Sequence, residues 1–289
     1  MDAPCIAVLI TCHNRRDKTL AALESLEHQR DLPPGTSVRV HLVDSASTDG
    51  TAQHVAERFP DVDVTNVGDD VFWGEGMRIA SQSSLAPHLP PWTHQLWLND
   101  DVVLADDALA MLLDTDHKVG GDAVVVGPVH SFDRTRTTYS GLRHCGRPRW
   151  HPYQHDLVMV EPTGRPEPAD THHGNVVLVP RQVFDHVGHI DRRFRHSMGD
   201  YDHGYRVRQA GLRVLVAPRH AGACDDNPPL TGSKEPGIGV REALRRVTSR
   251  RELPCRAWWV YCARHMGPYA PVLMFSPYVK TALRAMRSQ

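Results

Sequence analysis

The sequence lacks a charge excess of either sign and has no long hydrophobic run. Its 33 Lys and Arg nearly balance its 34 Asp and Glu, which leaves a formal net charge of −1 over 289 residues. Nucleic-acid-binding proteins usually carry a strongly basic surface, so this balance gives no reason to expect such a partner. No segment approaches the apolar stretch of about 18 residues that indicates a membrane-spanning helix. We therefore expect neither nucleic-acid binding nor a membrane span.

Cysteine pairs and a leader-like N-terminus are also missing. The six cysteines form no C-x-x-C pair, which argues against a zinc ribbon and against a disulfide framework. The first apolar run, Cys5–Thr11, follows an acidic start, whereas a secretory signal peptide has a basic start and a longer apolar stretch. These features predict a cytoplasmic protein with reduced thiols.

Short runs rich in Val, Ile and Leu alternate with helical patterns along most of the chain. The runs predict buried strands at Ile6–Thr11, Val38–Asp44, Val62–Asn66, Gln95–Asn99, Ala123–Val129, Asn175–Val179 and Arg213–Ala217. Helical spacing is clear at Leu20, Leu23 and Leu26. This alternation predicts an α/β fold, a mainly parallel, Rossmann-like sheet with helices on both faces. Ligands of such sheets bind at the carboxyl ends of the strands.

The last part of the chain has a different composition. Between Arg241 and Gln289 there are ten Lys or Arg and two Glu, a net charge of +8. The aromatic residues Trp258, Trp259, Tyr261, Phe275 and Tyr278 are interleaved with them. We predict a main domain over residues 1–230 and a basic, aromatic helical tail over residues 231–289. The tail suits a peripheral membrane contact, a lid, a docking surface for an acceptor or second subunit, or a solvated helix packed on the main domain.

No glycine-rich loop follows the first predicted strand. The chain continues there as Thr11-Cys12-His13-Asn14-Arg15-Arg16, whereas a dinucleotide-binding fold requires G-x-G-x-x-G at this point. The G-K-[ST] ending of a phosphate-binding P-loop is missing as well. The sequence therefore favours neither an NAD enzyme nor a P-loop enzyme.

Small polar residues follow the second predicted strand, in the sequence Val43-Asp44-Ser45-Ala46-Ser47-Thr48-Asp49-Gly50-Thr51. Helix capping explains the stretch from Ser47 to Thr51. It does not explain Asp44, an acid at the inner end of an apolar strand. That carboxylate could accept hydrogen bonds from a nucleobase N–H or from ribose hydroxyls, so a structural and a binding interpretation both stay open.

Two adjacent carboxylates, Asp100 and Asp101, follow the fourth predicted strand. Carboxylates at a buried strand end repel each other and lose hydration, so they normally need a cation. Mg²⁺ and Mn²⁺ suit such a pair, because they bind through one or two carboxylates and complete their shell with substrate phosphates. A solvated turn that caps the following helix is the structural alternative.

Two more acids, Asp200 and Asp202, open a predicted helix that ends at Gly211. The helix dipole favours carboxylates in a first turn without any catalytic role. An acid at this position could also serve as a general base for an incoming nucleophile.

These motifs occur in a recognisable order. The sequence T-x-H-N-R, then VDSASTDGT, then the DxD-like NDD and finally GDYDxGxR resembles family 2 glycosyltransferases with the GT-A fold, over Cys5–Asn227. The segments Gly68–Met77 and Gly174–Pro180 are similar to segments of rhamnosyltransferase-like members.

The resemblance implies roles for individual residues. Those expected to bind the nucleotide are Thr11, His13, Asn14, Arg15, Asp44, Ser47, Asn99 and Asp100, with Asp44 on the base. Those expected to shape the sugar pocket are Trp73, Gly74, His173, Gly174 and Asn175. Asp101 and His220 would bind Mn²⁺ or Mg²⁺, and Asp200 would be the catalytic base, with Asp202 as the second choice.

The implied reaction is inverting transfer of a sugar from a UDP or dTDP sugar to an acceptor nucleophile, assisted by the metal. The rhamnosyltransferase-like segments favour dTDP. The acceptor stays open among a glycan, a lipid-linked sugar, a natural product and a peptide side chain.

Two other functions compete with this interpretation. A sugar nucleotidyltransferase also holds Mg²⁺ with acids, but it would need a glycine-rich, lysine-containing phosphate loop after the first strand. An inactive scaffold that binds nucleotide sugars is favoured by Asn99 and Gly199, which stand where many relatives have Asp and Glu.

Overall fold

All seven predicted strands form in the computed structural model, which describes residues 3–146, 157–226 and 232–287. The predicted domain boundary near residue 230, and Asn227 at the end of the family resemblance, lie outside the described residues. The strands are β1 (Cys5–Cys12), β2 (Ser37–Ser45), β3 (Asp63–Val67), β4 (His94–Leu98), β5 (Val103–Leu104), β6 (Ala123–Val126), β7 (Val129–His130), β8 (Thr137–Tyr139), β9 (Gly141–His144), β10 (Leu157–Met159), β11 (Glu167–Ala169), β12 (Thr171–His172), β13 (Val176–Pro180), β14 (Arg213–Val216) and β15 (Gly222–Ala223).

Helices connect most of these strands. They are α1 (Arg16–Glu27), α2 (Thr51–Arg58), α3 (Trp73–Ser83), α4 (Ala108–Val119), α5 (Arg181–Val187), α6 (Gly199–Gln209), α7 (Val240–Val247), α8 (Cys255–His265) and α9 (Ala270–Arg287). Among the described helices, none is long and apolar enough to cross a membrane.

The main sheet has eight strands in the order β11-β14-β6-β13-β4-β1-β2-β3. Strands β3, β2, β1 and β4 are parallel neighbours, as are β6 and β14. Strand β13 lies between β4 and β6 and is antiparallel to both. The prediction of a mainly parallel α/β sheet is therefore confirmed, with two reversed strands, β13 and the edge strand β11, that the sequence did not reveal.

The sheet is buried on both faces, which explains the continuous apolar runs. Along β1, Ile6, Val8 and Ile10 pack on one side with leucines of α1 and α4. Ala7 and Leu9 pack on the other side with residues of α3, α5 and α8. Since successive side chains point to opposite faces of a strand, both faces need apolar residues here.

The C-terminal helices pack against the second of these two layers. Trp258 and Tyr261 of α8 are almost fully buried and belong to the same core cluster as Ile190 and Phe194. The Trp258 indole N–H donates to the Leu273 carbonyl oxygen at 2.9 Å, which joins α8 to α9. The predicted helical tail therefore forms and buries part of its aromatic side chains.

A buried ionic network joins α6 to α8. The Asp202 carboxylate is fully buried and accepts from Arg206 at 2.7 Å, from Arg264 at 2.9 Å and from His265 at 2.9 Å. Burial opposes ionisation of this carboxyl, but the hydrogen bond from His265 and the charge of Arg206 outweigh burial and lower the Asp202 pKa. Asp202 thus fixes the tail helix to the helix that carries Asp200.

We predict that Asp202→Asn destabilises the fold. The substitution keeps the side-chain volume but removes the buried negative charge that Arg206, Arg264 and His265 contact, so the free energy of unfolding should fall by about 3 kcal/mol. Urea denaturation measures this change. Asp114→Asn is the matched control, because Asp114 forms an exposed pair with Lys118, and such pairs are worth less than about 1 kcal/mol. Equal effects of the two substitutions would contradict the anchoring role of Asp202.

Candidate functional site

A cavity of about 730 Å³ opens where several chain segments of the main sheet end. The carboxyl ends of β1, β2 and β4 meet at this edge, because these strands are parallel neighbours. The reversed strand β13 brings its amino end to the same edge, where the Asn99 N–H donates to the Asn175 carbonyl oxygen at 3.0 Å. The lining residues that sequence reasoning had proposed are Thr11, His13, Arg15, Trp73, Asn99, Asp100, Gly174, Asn175 and Asp200.

The loop after β1 is fixed to the loop after β2. Asn14 adopts a left-handed backbone conformation with φ 50°. Its side-chain oxygen accepts from the Thr48 N–H at 2.7 Å, and its own N–H donates to the Ser47 hydroxyl oxygen at 2.9 Å. Neither Asn14 nor Ser47 lines the cavity. They hold the loop that presents His13, whose Nδ1 lies 2.6 Å from the Ser45 carbonyl oxygen.

Asp44, the predicted base-binding residue, is buried beside the cavity and does not line it. Its side chain is almost inaccessible, and one carboxylate oxygen accepts from the Ser47 N–H at 3.1 Å. The neighbouring Cys12 and Ser45 form the cavity wall at this point. Burial and the charge of Asp44 raise the pKa of the Cys12 thiol, which keeps it protonated at neutral pH.

The two adjacent acids are both buried, and Arg15 bridges them. One guanidinium nitrogen of Arg15 lies 3.1 Å from an Asp100 oxygen and 2.9 Å from an Asp101 oxygen. Lys18 Nζ is 4.0 Å from Asp101, and the Cys224 sulfur is 3.5 Å from its other oxygen. Burial raises the pKa of Asp100 to about 7, with Asp101 adding to the effect and Arg15 opposing it.

The acid pair has the chemistry of a divalent-cation site that a substrate completes. Magnesium and manganese bind through one or two carboxylates together with substrate phosphates, and here two carboxylates already share one cationic group. Within the described residues, no three potential ligand side chains converge on one point. The two carboxylates therefore fit a divalent cation whose remaining ligands come from a substrate.

His220, the other expected metal ligand, contacts Thr137 and His130 instead of the acid pair. Its Nε2 lies 2.9 Å from the Thr137 hydroxyl oxygen, and its ring packs on His130. Strand β15 separates His220 from Cys224, the residue that contacts Asp101. The turn before β15 therefore directs His220 to the Thr137 side.

Trp73 and two glycines shape the wall next to Asn99. The Trp73 indole N–H donates to the Asn99 side-chain oxygen at 2.8 Å. A Cβ on Gly174 would lie 2.5 Å from the Trp73 ring, so only glycine fits there. A Cβ on Gly74 would lie 2.3 Å from the Phe194 carbonyl oxygen. Gly74 therefore serves close packing beneath the cavity, which it does not line.

Asp200 lines the cavity with a partly buried side chain. Its two oxygens accept from the Gly174 N–H at 3.1 Å and from the Tyr201 N–H at 2.9 Å. Burial raises the pKa of Asp200 to about 6, while these two hydrogen bonds oppose the shift. A carboxyl group that titrates near neutral pH in a cavity has the properties of a general base.

The other two polar groups expected here lie outside the cavity lining. Asp202 is held in the network with Arg206, Arg264 and His265, away from the lining residues. The Asp202 carboxylate is engaged in these three hydrogen bonds and does not line the cavity, whereas Asp200 does. His173 supports the wall from behind, with Nε2 3.1 Å from the Tyr201 hydroxyl oxygen, and burial lowers its pKa to about 4.

Several residues that line the cavity were not predicted from the sequence. They are Cys12, Ser45, Asp69, Val71, Phe72, His196, Ser197, Met198, Tyr201 and Arg251. Arg251 comes from the tail segment before α8, and nothing in its sequence context separates it from the other basic residues there. Tyr201 could have been found, because it lies between the two acids that the motif singled out.

Comparisons with known proteins agree with this geometry. Residues 3–266 match the family described as glycosyltransferase like family 2. The N-acetylglucosaminyl-diphospho-decaprenol L-rhamnosyltransferases of two Mycobacterium tuberculosis strains, CDC 1551 / Oshkosh and ATCC 25618 / H37Rv, are each 28% identical over 234 residues. That alignment covers 74% of this chain and 73% of each relative.

Solved structures share the architecture. The mannosyltransferase PcManGT from Pyrobaculum calidifontis, in complex with GDP-Man and Mn²⁺, has a TM-score of 0.53 at 16% identity, over 100% of this chain and 74% of that one. GalNAc-T7 with UDP, GalNAc and Mn²⁺ has a TM-score of 0.58 at 13% identity, over 96% of this chain and 55% of that one. At these identities the likeness shows the fold alone. The chain belongs to the family 2 glycosyltransferases and has the GT-A fold.

Proposed function

We propose that this glycosyltransferase moves a deoxyhexosyl or hexosyl group from a nucleoside-diphosphate sugar to an acceptor hydroxyl, with inversion at the anomeric carbon. The observation that carries the proposal is that one cavity is lined both by the partly buried Asp200 and by Asp100, which shares the Arg15 guanidinium with Asp101. The first is suited to remove a proton, and the second to hold the charged diphosphate end of a donor.

The donor is a dTDP or UDP sugar in this proposal. The nucleotide would lie against Thr11, His13 and Arg15, and its base would approach the wall that Asp44 supports from behind. The name of the mycobacterial relatives specifies L-rhamnosyl transfer, which favours dTDP-linked L-rhamnose here. The sugar would then lie near Trp73 and Asn175 on the opposite loops.

Each catalytic group has a defined task. The Asp200 carboxylate accepts the proton of the acceptor hydroxyl as that oxygen attacks the anomeric carbon. Attack on the face opposite the leaving nucleoside diphosphate inverts the configuration. Trp73 fixes Asn99 at the wall, and the Gly174 N–H orients Asp200. A divalent cation held by Asp100 and Asp101 would supply Lewis-acid neutralisation of the diphosphate.

For the acceptor, we favour a lipid-linked sugar among the classes that the sequence left open. The mycobacterial relatives are named for a diphospho-decaprenol-linked substrate. The basic, aromatic tail suits a peripheral contact with a membrane that would carry such a substrate. The free thiols Cys5, Cys12, Cys224, Cys255 and Cys262 agree with a reduced, cytoplasmic location at the membrane surface.

An inactive protein that binds nucleotide sugars is the second candidate. It is favoured by the Arg15 guanidinium, which already neutralises the acid pair without a metal. Turnover of dTDP-rhamnose or UDP-sugars, followed by release of the nucleoside diphosphate, distinguishes the two candidates, because a scaffold binds the donor without consuming it.

Asp200→Asn is expected to abolish sugar transfer and to leave donor affinity within about threefold, because the amide keeps the shape but cannot accept the proton. Nucleoside diphosphate release measures the reaction, and calorimetry measures donor binding. Asp185→Asn is the control, since Asp185 pairs with Arg181 on the surface of α5. A variant at residue 200 that retains most of its activity would exclude Asp200 as the base.

The pH dependence follows from the raised pKa of Asp200. The base works only when deprotonated, so kcat/KM should rise about tenfold per pH unit below pH 6 and level off above it. The pKa of about 6 sets that point. Rates measured from pH 4.5 to pH 8 test this expectation, and a flat profile over that range would contradict it.

Arg15→Gln should strengthen Mn²⁺ binding in the absence of nucleotide, by about tenfold, because the metal no longer has to displace a cation from the acid pair. Calorimetric titration with Mn²⁺ measures the affinity. Arg16→Gln is the matched control, since Arg16 is similarly exposed, 40% against 38%, but pairs with Asp17 instead. Equal Mn²⁺ affinities in wild type and Arg15→Gln would show that Arg15 does not compete for the site.

A further inference from the structure

Helix α9 has two chemically different sides. Ala270, Leu273, Thr281 and Ala285 are buried on the side that packs against α7 and α8. On the opposite side, Val272, Phe275, Val279, Leu283 and Met286 are between 47% and 71% exposed. Their spacing of three or four residues places them along one stripe of the helix. This stripe is apolar over the whole length of α9.

Helix α8 extends the same apolar surface. The Trp259 side chain is 41% exposed, and its ring centroid lies 5.6 Å from that of Phe275. Its indole N–H donates to the Met274 carbonyl oxygen at 3.2 Å, which holds the ring against α9. We call Trp259 together with the five exposed residues of α9 the tail face. It holds most of the large exposed hydrophobic residues among those the structure describes.

The Lys and Arg residues of α8 and α9 are not matched by any Asp or Glu on these two helices. The sequence contains no Asp or Glu after Glu252, whereas Arg256, Arg264, Lys280, Arg284 and Arg287 follow it. Arg264 is used internally, because it pairs with Asp191 and Asp202. For the remaining four, neither α8 nor α9 contains an acid that could neutralise them.

The basic residues of α9 flank the apolar stripe. Lys280, Arg284 and Arg287 each directly follow an exposed apolar residue, so each lies about 100° further around the helix. Their long side chains can bury their methylenes at an apolar boundary while the charged ends stay in water. An apolar stripe with a cationic flank and an aromatic residue at its edge is typical of helices that lie in the plane of a membrane interface.

A second copy of the chain fits this surface less well. Two tail faces in contact would bring their cationic flanks together, and neither α8 nor α9 has an acidic residue to offset that repulsion. Like charges across an interface disfavour association. Anionic lipid headgroups would instead complement the flank and cover the apolar stripe.

We propose that the tail face docks on the surface of an anionic lipid bilayer, with α9 lying in the headgroup plane. The docking deepens the proposed function, because a lipid-linked acceptor would be presented at that surface. It does not depend on catalysis, since the tail face lies on α8 and α9 and none of its residues lines the donor cavity.

Co-sedimentation of the full chain with vesicles tests the proposal. The wild-type protein should bind vesicles of phosphatidylglycerol and phosphatidylcholine more strongly than vesicles of phosphatidylcholine alone. Phe275→Asp should lower the partition coefficient on the anionic vesicles by about tenfold or more, because it places a charge at the centre of the apolar stripe. Val279→Asp should do the same. Phe132→Asp is the matched control, since Phe132 is 54% exposed against 56% for Phe275 but lies in another part of the chain.

Two results would overturn the proposal. The first is wild-type binding to anionic vesicles that is no stronger than that of the Phe275→Asp variant. The second is a wild-type dimer in light scattering that Phe275→Asp dissociates, without vesicle binding, which would assign the tail face to a second copy. Donor-nucleotide affinity, measured in parallel by calorimetry, should be unchanged in Phe275→Asp. A wild-type protein that binds the nucleotide but not the vesicles would show a failure of this inference alone, whereas one that binds the vesicles but not the nucleotide would show a failure of the proposed function alone.

Discussion

The antiparallel insertion of β13 between β4 and β6 is the constraint on which the site depends. In the parallel part of the sheet, only carboxyl ends reach the cavity edge. The reversed strand adds an amino end at the same edge, and the segment that precedes it supplies Gly174 and Asn175. The Gly174 N–H then holds the Asp200 carboxylate. The reversal therefore helps to bring Asp200 and Asp100 to one cavity.

The C-terminal helices contribute to that arrangement from behind. Asp202 is two residues after the proposed base on the same helix, and its ion pair with Arg264 fixes that helix to α8. The buried Trp258 and Tyr261 add apolar packing beneath the same region. One surface of the tail thus stabilises α6, the helix that carries Asp200, while its opposite surface stays apolar and basic. This division explains why the tail has both many aromatic residues and an excess of positive charge.

Much of this architecture could be predicted from the sequence, because burial on both faces requires apolar runs such as Ile6–Ile10. The direction of β13 could not, since an apolar run reads the same for parallel and antiparallel pairing. The sequence also could not show in which direction the side chains of the site point. Asp200 and Asp202 lie in one helical turn, and only the packing of α8 shows which of them faces the cavity. Likewise, the resemblance to family 2 glycosyltransferases pointed to His220 as a metal ligand, whereas the fold brings Cys224 to Asp101.

The central claim is that the cavity binds the nucleoside-diphosphate part of a sugar donor. Thermal denaturation with dTDP, UDP and GDP, each with and without Mn²⁺, tests this claim most directly. A ligand at about 100 times its dissociation constant stabilises a protein by about 2.7 kcal/mol, which for a chain of this size raises the unfolding midpoint by about 5–10 °C. If the cavity binds the donor in this way, dTDP or UDP should produce such a shift. The shift should be larger with Mn²⁺ present, and GDP should produce a smaller one. No shift with any of the three nucleotides would contradict it.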